Sequence, residues 1–221
     1  MFGLFRNSKR EFIFEKLSPS IRIEKILSEF VFPELVDLGF KFNKKDLTFS
    51  RTHYEFENSI IFQKSKWNNG SDICAIKPSI AIQSKALADF YRKNKTTNTK
   101  LIGLAGGNAE DIPNWNQECF DDGYYDFTQY DNLQIVKNLN HNLSGPVNDY
   151  FDQYKTYSDI VTHKIQKKTE YYLAPRLYDL CAINNDALFG KKVIGWYDEF
   201  KNRTDKGIPE ELDKEMMKRK L

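Results

Sequence analysis

The sequence predicts an α+β fold: an antiparallel sheet of about four or five strands, an N-terminal helix on one face, and a helical C-terminal half. Three observations predict it. Apolar residues alternate with a period of two between Phe40 and Gln83. A helical stripe precedes that segment, and from Asp131 onward the period becomes helical again. A single domain over residues 1–221 is the expected organisation, with residues 131–221 marked as a candidate helical subdomain.

Residues Phe2 to Leu17 mix basic and aromatic side chains and read as a strand, a helix or a docked arm. The first firm element starts at Ser18-Pro19, an N-cap residue followed by a proline at the first helical position. Ile23, Ile26, Leu27, Phe30 and Val31 then form one apolar stripe. Pro33 should break or kink this helix, a short turn carries Leu35 and Leu38, and Gly39 ends it.

The strands follow. Phe40 and Phe42, then Leu47, Phe49 and Arg51, then Tyr54, Phe56, Ile60 and Phe62, and finally Cys74, Ile76, Ile80 and Ile82 take one face. Ser59, Gln63, Lys77, Ser79, Ala81 and Gln83 take the other. That second face carries small polar groups, so it is either packed by later helices or shaped as a shallow groove. Asn68-Asn69-Gly70 reads as a turn, because Asn and Gly tolerate positive φ. Pro78 lacks an amide donor, so its strand is expected to be an edge or to bulge there.

Ser84 to Asn94 reads as a helix, Lys93 to Lys100 as a loop and Leu101 to Leu104 as one more strand. Gly106 to Asp126 reads as irregular. Downstream, Leu133, Val136 and Leu139 mark a helix that ends near Gly145-Pro146. Further stripes run through Val147, Tyr150, Phe151 and Tyr154, through Ile160, Val161 and Ile165, through Ala174, Leu177, Tyr178 and Cys181, and through Phe189, Val193, Trp196, Tyr197 and Phe200. Pro209 to Leu221 is a charged terminal helix.

Bulk properties exclude several classes. The 33 basic and 31 acidic side chains leave a net charge of +2, which gives no whole-chain attraction to nucleic acid. The three cysteines, Cys74, Cys119 and Cys181, show no zinc spacing and no disulfide framework, and read as buried thiols. No secretory signal or membrane-spanning run is visible, so the cytoplasm is the expected location. His53, His141 and His163 stand apart, outside any metal-binding or nucleophile frame. Gly103, Gly106 and Gly107 lack the spacing of a phosphate loop and should turn the chain. The loop acids Glu110, Asp111, Glu118, Asp121, Asp122 and Asp126 lack the order of a calcium loop, and read as solvated or as partners for basic side chains. No catalytic residue, metal site or cofactor is implied.

The densest constellation is Phe62-Gln63-Lys64-Ser65-Lys66-Trp67, with Arg51 on the preceding strand. With Gly39-Phe40, Phe49-Ser50-Arg51, Asp111 to Trp115, Tyr150-Phe151-Asp152 and Ser158-Asp159-Ile160, it resembles a bacterial domain family of unknown function over residues 25–165. The resemblance implies an α+β domain and no activity. Physically, Arg51, Gln63, Lys64 and Lys66 would offer donors to a carboxylate or phosphate, with Trp67 as a stacking wall. Against this, Arg51 and Gln63 would satisfy backbone or acidic groups, and Trp67 would be core.

Two functions remain open on the sequence. One is a non-catalytic protein-binding module, for which an immunity-type protein is one form. The other is an enzyme or binder of an anionic small molecule using Arg51, Gln63, Lys64, Lys66 and Trp67. Strand aromatics share the apolar face, which argues against RNA stacking on the sheet.

Overall fold

A computed structural model describes residues 10–69, 72–94, 96–166, 170–203 and 208–220. It is α+β, with an antiparallel sheet of strand order β1-β2-β3-β4-β5, and β6 added beside β4. The strands are β1 (Lys41–Asn43), β2 (Thr48–His53), β3 (Phe56–Lys64), β4 (Ala75–Ser84), β5 (Ile102–Asn108) and β6 (Tyr125–Asp126). The chain divides into two compact units. The first comprises Met1–Arg51, Ser59–Ile80 and Gly107–Tyr150, and the second Thr52–Asn58, Ala81–Gly106 and Phe151–Leu221.

In the first unit, helix α1 (Pro19–Ile26) starts with Pro19 in the first turn as expected, but the Ser18 side chain caps no amide. The helix does not stop at Pro33. A π-turn over Leu27–Val31 leads directly into α2 (Phe32–Val36). Pro33 in an α-helix would clash with the carbonyl of Glu29 and leave it without a donor. The wider π-turn, in which the Phe32 amide reaches the Leu27 carbonyl, lets the helix continue past the proline. Ile23, Leu27, Val31 and Leu35 are all fully buried. Gly39 then takes φ +84°, its amide donating to Val36 O at 2.9 Å, while the Phe40 amide donates to Leu35 O at 3.2 Å. That closure needs the left-handed region, where a side chain is strained.

Phe32 stacks against Phe49, whose cross-strand partner Phe42 lies 4.3 Å away, ring centroid to centroid. Phe62 meets the edge of Phe49 at 5.7 Å, extending the aromatic tier onto β3. Phe40, Phe49, Ile60, Phe62, Ile76 and Ile80 are buried, as the period of two requires. On the other face Ser59 is buried and Lys77 and Ser79 are half-buried. Pro78 does not mark an edge, because β4 lies between β3 and β5. It stands two residues past Ile76, the last residue that β6 pairs. Of the Asn68-Asn69-Gly70 turn, Gly70 lies outside the described residues. Asn68 and Asn69 act there through their side chains: Asn68 both donates to and accepts from the backbone of Ala75. Asn69 accepts from the amides of Asp72 and Ile73.

Residues 10–13 form a docked arm. The Glu11 amide donates to Asp131, the Asn132 amide donates to Glu11 O, and the Ile13 amide donates to Asn132 Oδ1. Asp131 caps α4 (Asn132–Asn142) by accepting from Leu133 and Gln134. Here Ile135 and Leu139 face inward and Leu133 is exposed, so the buried stripe is offset from the one expected. A second π-turn, Leu143–Val147, contains Pro146 and runs on into α5 (Asn148–Asp152). The helix therefore passes the Gly145-Pro146 stop that its sequence suggests.

In the second unit, α3 (Lys85–Lys93) is capped by the Ser84 hydroxyl, which accepts from the Leu87 amide at 3.1 Å. Gly103, Gly106 and Gly107 do not turn the chain. They lie in β5, whose Gly107 is counted with the first unit, and Gly106 and Gly107 have φ +137° and +155°. The helices α6 (Tyr157–Gln166), α7 (Ala174–Ile183), α8 (Ala187–Arg203) and α9 (Glu210–Lys220) complete the unit. Leu177, Cys181, Val193 and Tyr197 form its interior.

Candidate functional site

The structure does not gather Arg51, Gln63, Lys64, Lys66 and Trp67 into one site. Arg51 is buried, with Nη1 donating to Leu38 O and Nη2 to Asn148 Oδ1, both at 2.8 Å, and its guanidinium 4.5 Å from the Phe40 ring centroid. Gln63 and Lys64 are exposed at the far end of β3, and Lys64 Nζ donates to Ser20 Oγ at 3.2 Å. Arg51 thus meets the end of the α1–α2 helix and Lys64 its beginning. At 1.5 Å per residue those ends are roughly 25 Å apart. The guanidinium clasps backbone and a neutral amide, which is a structural role.

Trp67 is the residue left over. The residue is 67% exposed, so it is not core, and the ammonium of Lys66 sits 4.9 Å from its ring centroid. It forms one wall of a groove of about 340 Å³, entirely within the first unit. Asp121, Asp122, Tyr124 and Asp126 line the same groove.

Local chemistry explains why those carboxylates meet there. Asp122 and Gly123 both have positive φ, at +47° and +82°, the signature of a tight hairpin turn. Asp121 and Tyr124 exchange backbone hydrogen bonds of 2.9 and 2.8 Å across it. Gly123 is favoured by its φ; a Cβ there would stand 3.0 Å from Lys77 Nζ, the far end of a flexible side chain that can give way. The Asp-Gly dipeptide favours such hairpins, and it is the signal that could have marked this turn in a stretch read only as irregular. Tyr125 and Asp126 then pair with Ile76 and Ala75, which brings Asp126 beside the loop that carries Trp67.

Asp126 is 92% buried, being 8% exposed. Its Oδ1 accepts from the Cys74 amide at 3.3 Å, the Thr128 amide at 2.9 Å and the Thr128 hydroxyl at 2.7 Å. Arg22, also buried, gives its hydrogen bonds to Ile13 O, Phe127 O and Asn132 Oδ1, and none to Asp126. Of the remaining loop acids, Glu110 pairs with Lys77 at 2.7 Å.

Two of the histidines are tied to other side chains. His53 Nε2 stands 2.8 Å from Asp152 Oδ1, and His163 Nδ1 lies 2.7 Å from the Tyr154 hydroxyl. A His–Asp dyad orients a base, but a reaction also needs a nucleophile on the far ring nitrogen. No hydrogen bond joins His53 Nδ1 to one among the described residues. The cysteines are free: Cys74 and Cys181 are buried and Cys119 is half-buried. Burial pushes the Cys74 thiol up to about 11 and the Cys181 thiol up to about 12. A thiol held protonated is a poor nucleophile and a poor metal ligand. Among the described residues, no group of three or more His, Cys, Asp or Glu side chains is placed to hold a metal ion. None of their helices is long and apolar enough to cross a membrane.

Fold and site together define an α+β protein with an acidic groove walled by an exposed tryptophan. The chain matches no family model, no curated protein and no solved structure.

Proposed function

We propose that this chain is a cytoplasmic, non-catalytic protein-binding module that docks its partner on the Trp67 ledge. One observation supports this reading above the others. A tryptophan is presented 67% exposed at the end of β3, outside the core and beside a groove of mixed character. Exposed indoles are costly to leave in water and are over-represented among the residues that dominate protein interfaces. An immunity-type protein, which occludes a toxin by surface contact, is one form of this role.

The alternative, an anionic ligand held by Arg51, Gln63, Lys64 and Lys66, loses its strongest donor, because the Arg51 guanidinium is bonded to Leu38 and Asn148. The test is affinity capture with the wild-type protein and with Trp67→Ala, followed by titration of whatever the wild type enriches. A hot-spot tryptophan predicts a loss of at least about 2 kcal/mol, or roughly thirtyfold in Kd. A captured partner that binds both proteins equally well would overturn the docking face.

A further inference from the structure

We infer that the groove beside Trp67 receives an arginine side chain presented by the partner, its guanidinium lying between the indole face and the Asp126 carboxylate. This rests on the protein-binding reading above and names the chemistry of what is bound.

Three observations carry it. The first is an incompletely used buried carboxylate. Asp126 lines the groove while 8% exposed, and all three hydrogen bonds to its carboxylate fall on Oδ1. Oδ2 accepts none from the described residues, so one oxygen of a nearly buried anion is left for a donor that enters the groove. A buried charge without a full set of partners is costly, and a cation supplied by a ligand relieves that cost.

The second is the sign of the lining. Asp121, Asp122 and Asp126 contribute three carboxylates, and no lysine, arginine or histidine is among the groove's lining residues. Even with the Lys66 ammonium beside the indole, the carboxylates outnumber it, so an approaching cation is attracted.

The third is that the Trp67 face already accepts a cation. The Lys66 ammonium lies 4.9 Å from the ring centroid, inside the range of a cation–π contact. It is an internal stand-in for a guanidinium, which stacks on an indole and also forks onto a carboxylate. A metal ion would gain nothing from the indole wall. The volume of about 340 Å³ lies at the low end for ligand sites, suiting one side chain in place of a larger molecule.

The experiment is a titration of the full chain with three short capped peptides, Ala-Arg-Ala, Ala-Lys-Ala and Ala-citrulline-Ala, followed by the indole N–H of Trp67 and the amide of Thr128 in two-dimensional NMR. Citrulline keeps the shape of arginine and removes its charge. The arginine peptide is expected to shift both signals saturably and the lysine peptide to shift them more weakly. The citrulline peptide should leave them unmoved, and rising salt should weaken the arginine response. Asp121→Asn with Asp122→Asn should weaken arginine binding about tenfold or more without touching the Asp126 hydrogen bonds. Trp67→Leu, followed at Thr128, should abolish it.

Equal shifts with citrulline, or arginine binding unchanged in both variants, would overturn the inference. A partner that needs Trp67 yet is not displaced by the arginine peptide would sink this inference and spare the docking face. A partner indifferent to Trp67 would remove the docking face itself.

Discussion

The guanidinium of Arg219 grips the carboxylate of Asp179 with two parallel hydrogen bonds, Nε to Oδ1 at 2.8 Å and Nη2 to Oδ2 at 2.6 Å. The Tyr91 hydroxyl donates to the same carboxylate at 2.8 Å. Asp179 is 6% exposed, so its charge depends on these partners. Among its described side chains helix α9 buries one fully, Met216, and it is also held by polar ties such as this one and Lys201 to Asp213 at 2.6 Å. An isolated helix of 11 residues is marginal in water, so docking is what keeps α9 formed. Arg219→Ala leaves a buried carboxylate without its cation and should cost about 3–5 kcal/mol in urea unfolding. Hydrogen exchange of α9 should quicken in that variant, and a change below about 0.5 kcal/mol would show the pair to be ornamental.

Asn58 predicts the opposite sign. It lies fully buried on the apolar face of β3, between Phe56 and Ile60 in the alternation. Neither its Oδ1 nor its Nδ2 has a hydrogen-bond partner. Its amide carries a desolvation cost of about 1–3 kcal/mol with nothing to offset it. Asn58→Leu should therefore leave stability unchanged or raise it, read as the denaturation midpoint. A loss of more than about 1 kcal/mol would show that the amide is satisfied in solution.

The fold's outline is legible in the sequence because its signals are local. Pro19, the Gly39 stop and the alternation through β2, β3 and β4 each depend on neighbours a few residues away. What is not legible depends on distant partners. Arg51 reads as a ligand-binding cation until Asn148, 97 residues on, takes one arm of its fork. Trp67 reads as core or cap until Asp126 arrives beside it through the pairing of β6 with β4. Tyr54 continues the strand pattern on paper, yet φ +53° places it in a turn with its ring 61% exposed. The glycines of β5 read as a turn because glycine usually makes one, and only the sheet pairing fixes them as strand.

Asp131 gives a pH-dependent prediction. It accepts from the Glu11, Gln134 and Leu133 amides, and these bonds, the Glu11 amide foremost, hold its carboxyl below the ordinary value of 3.8. A depressed pKa in the folded state means stability that is present above the unfolded value and is lost as pH falls through the folded one. Asp131→Ala should cost about 1 kcal/mol at neutral pH and progressively less in acid. Asp131→Asn should keep the helix cap through its one acceptor oxygen, give up the Glu11 bond, and lose the pH dependence. Thermal melts at neutral and acid pH separate the two variants.

The cysteines predict an order of labelling. At pH 8 in the native state, a disulfide reagent should reach half-buried Cys119 first. Cys74 and Cys181 should react only as the protein unfolds. Both buried thiols have raised pKa values, so the stability they contribute is full below the unfolded value near 9.0. It is lost as pH rises through about 11 for Cys74 and about 12 for Cys181. Cys74→Ala with Cys181→Ala should flatten the alkaline limb of the stability curve, and an unchanged limb would assign it to other groups.

The two π-turns, Leu27–Val31 and Leu143–Val147, each spend one residue more than an α-helical turn needs. Fully buried Ile23, Leu27, Val31 and Leu35 accordingly recur every fourth position, where an unbroken helix would drift back after two turns. Were the same residues wound as unbroken α-helix, everything beyond the turn would swing by about 100° around the helix axis. Leu35 would then leave the line of Ile23 and Leu27, and Pro33 would lie against the Glu29 carbonyl. Taking up the surplus residue in one wide turn is what keeps the two ends of the helix in phase.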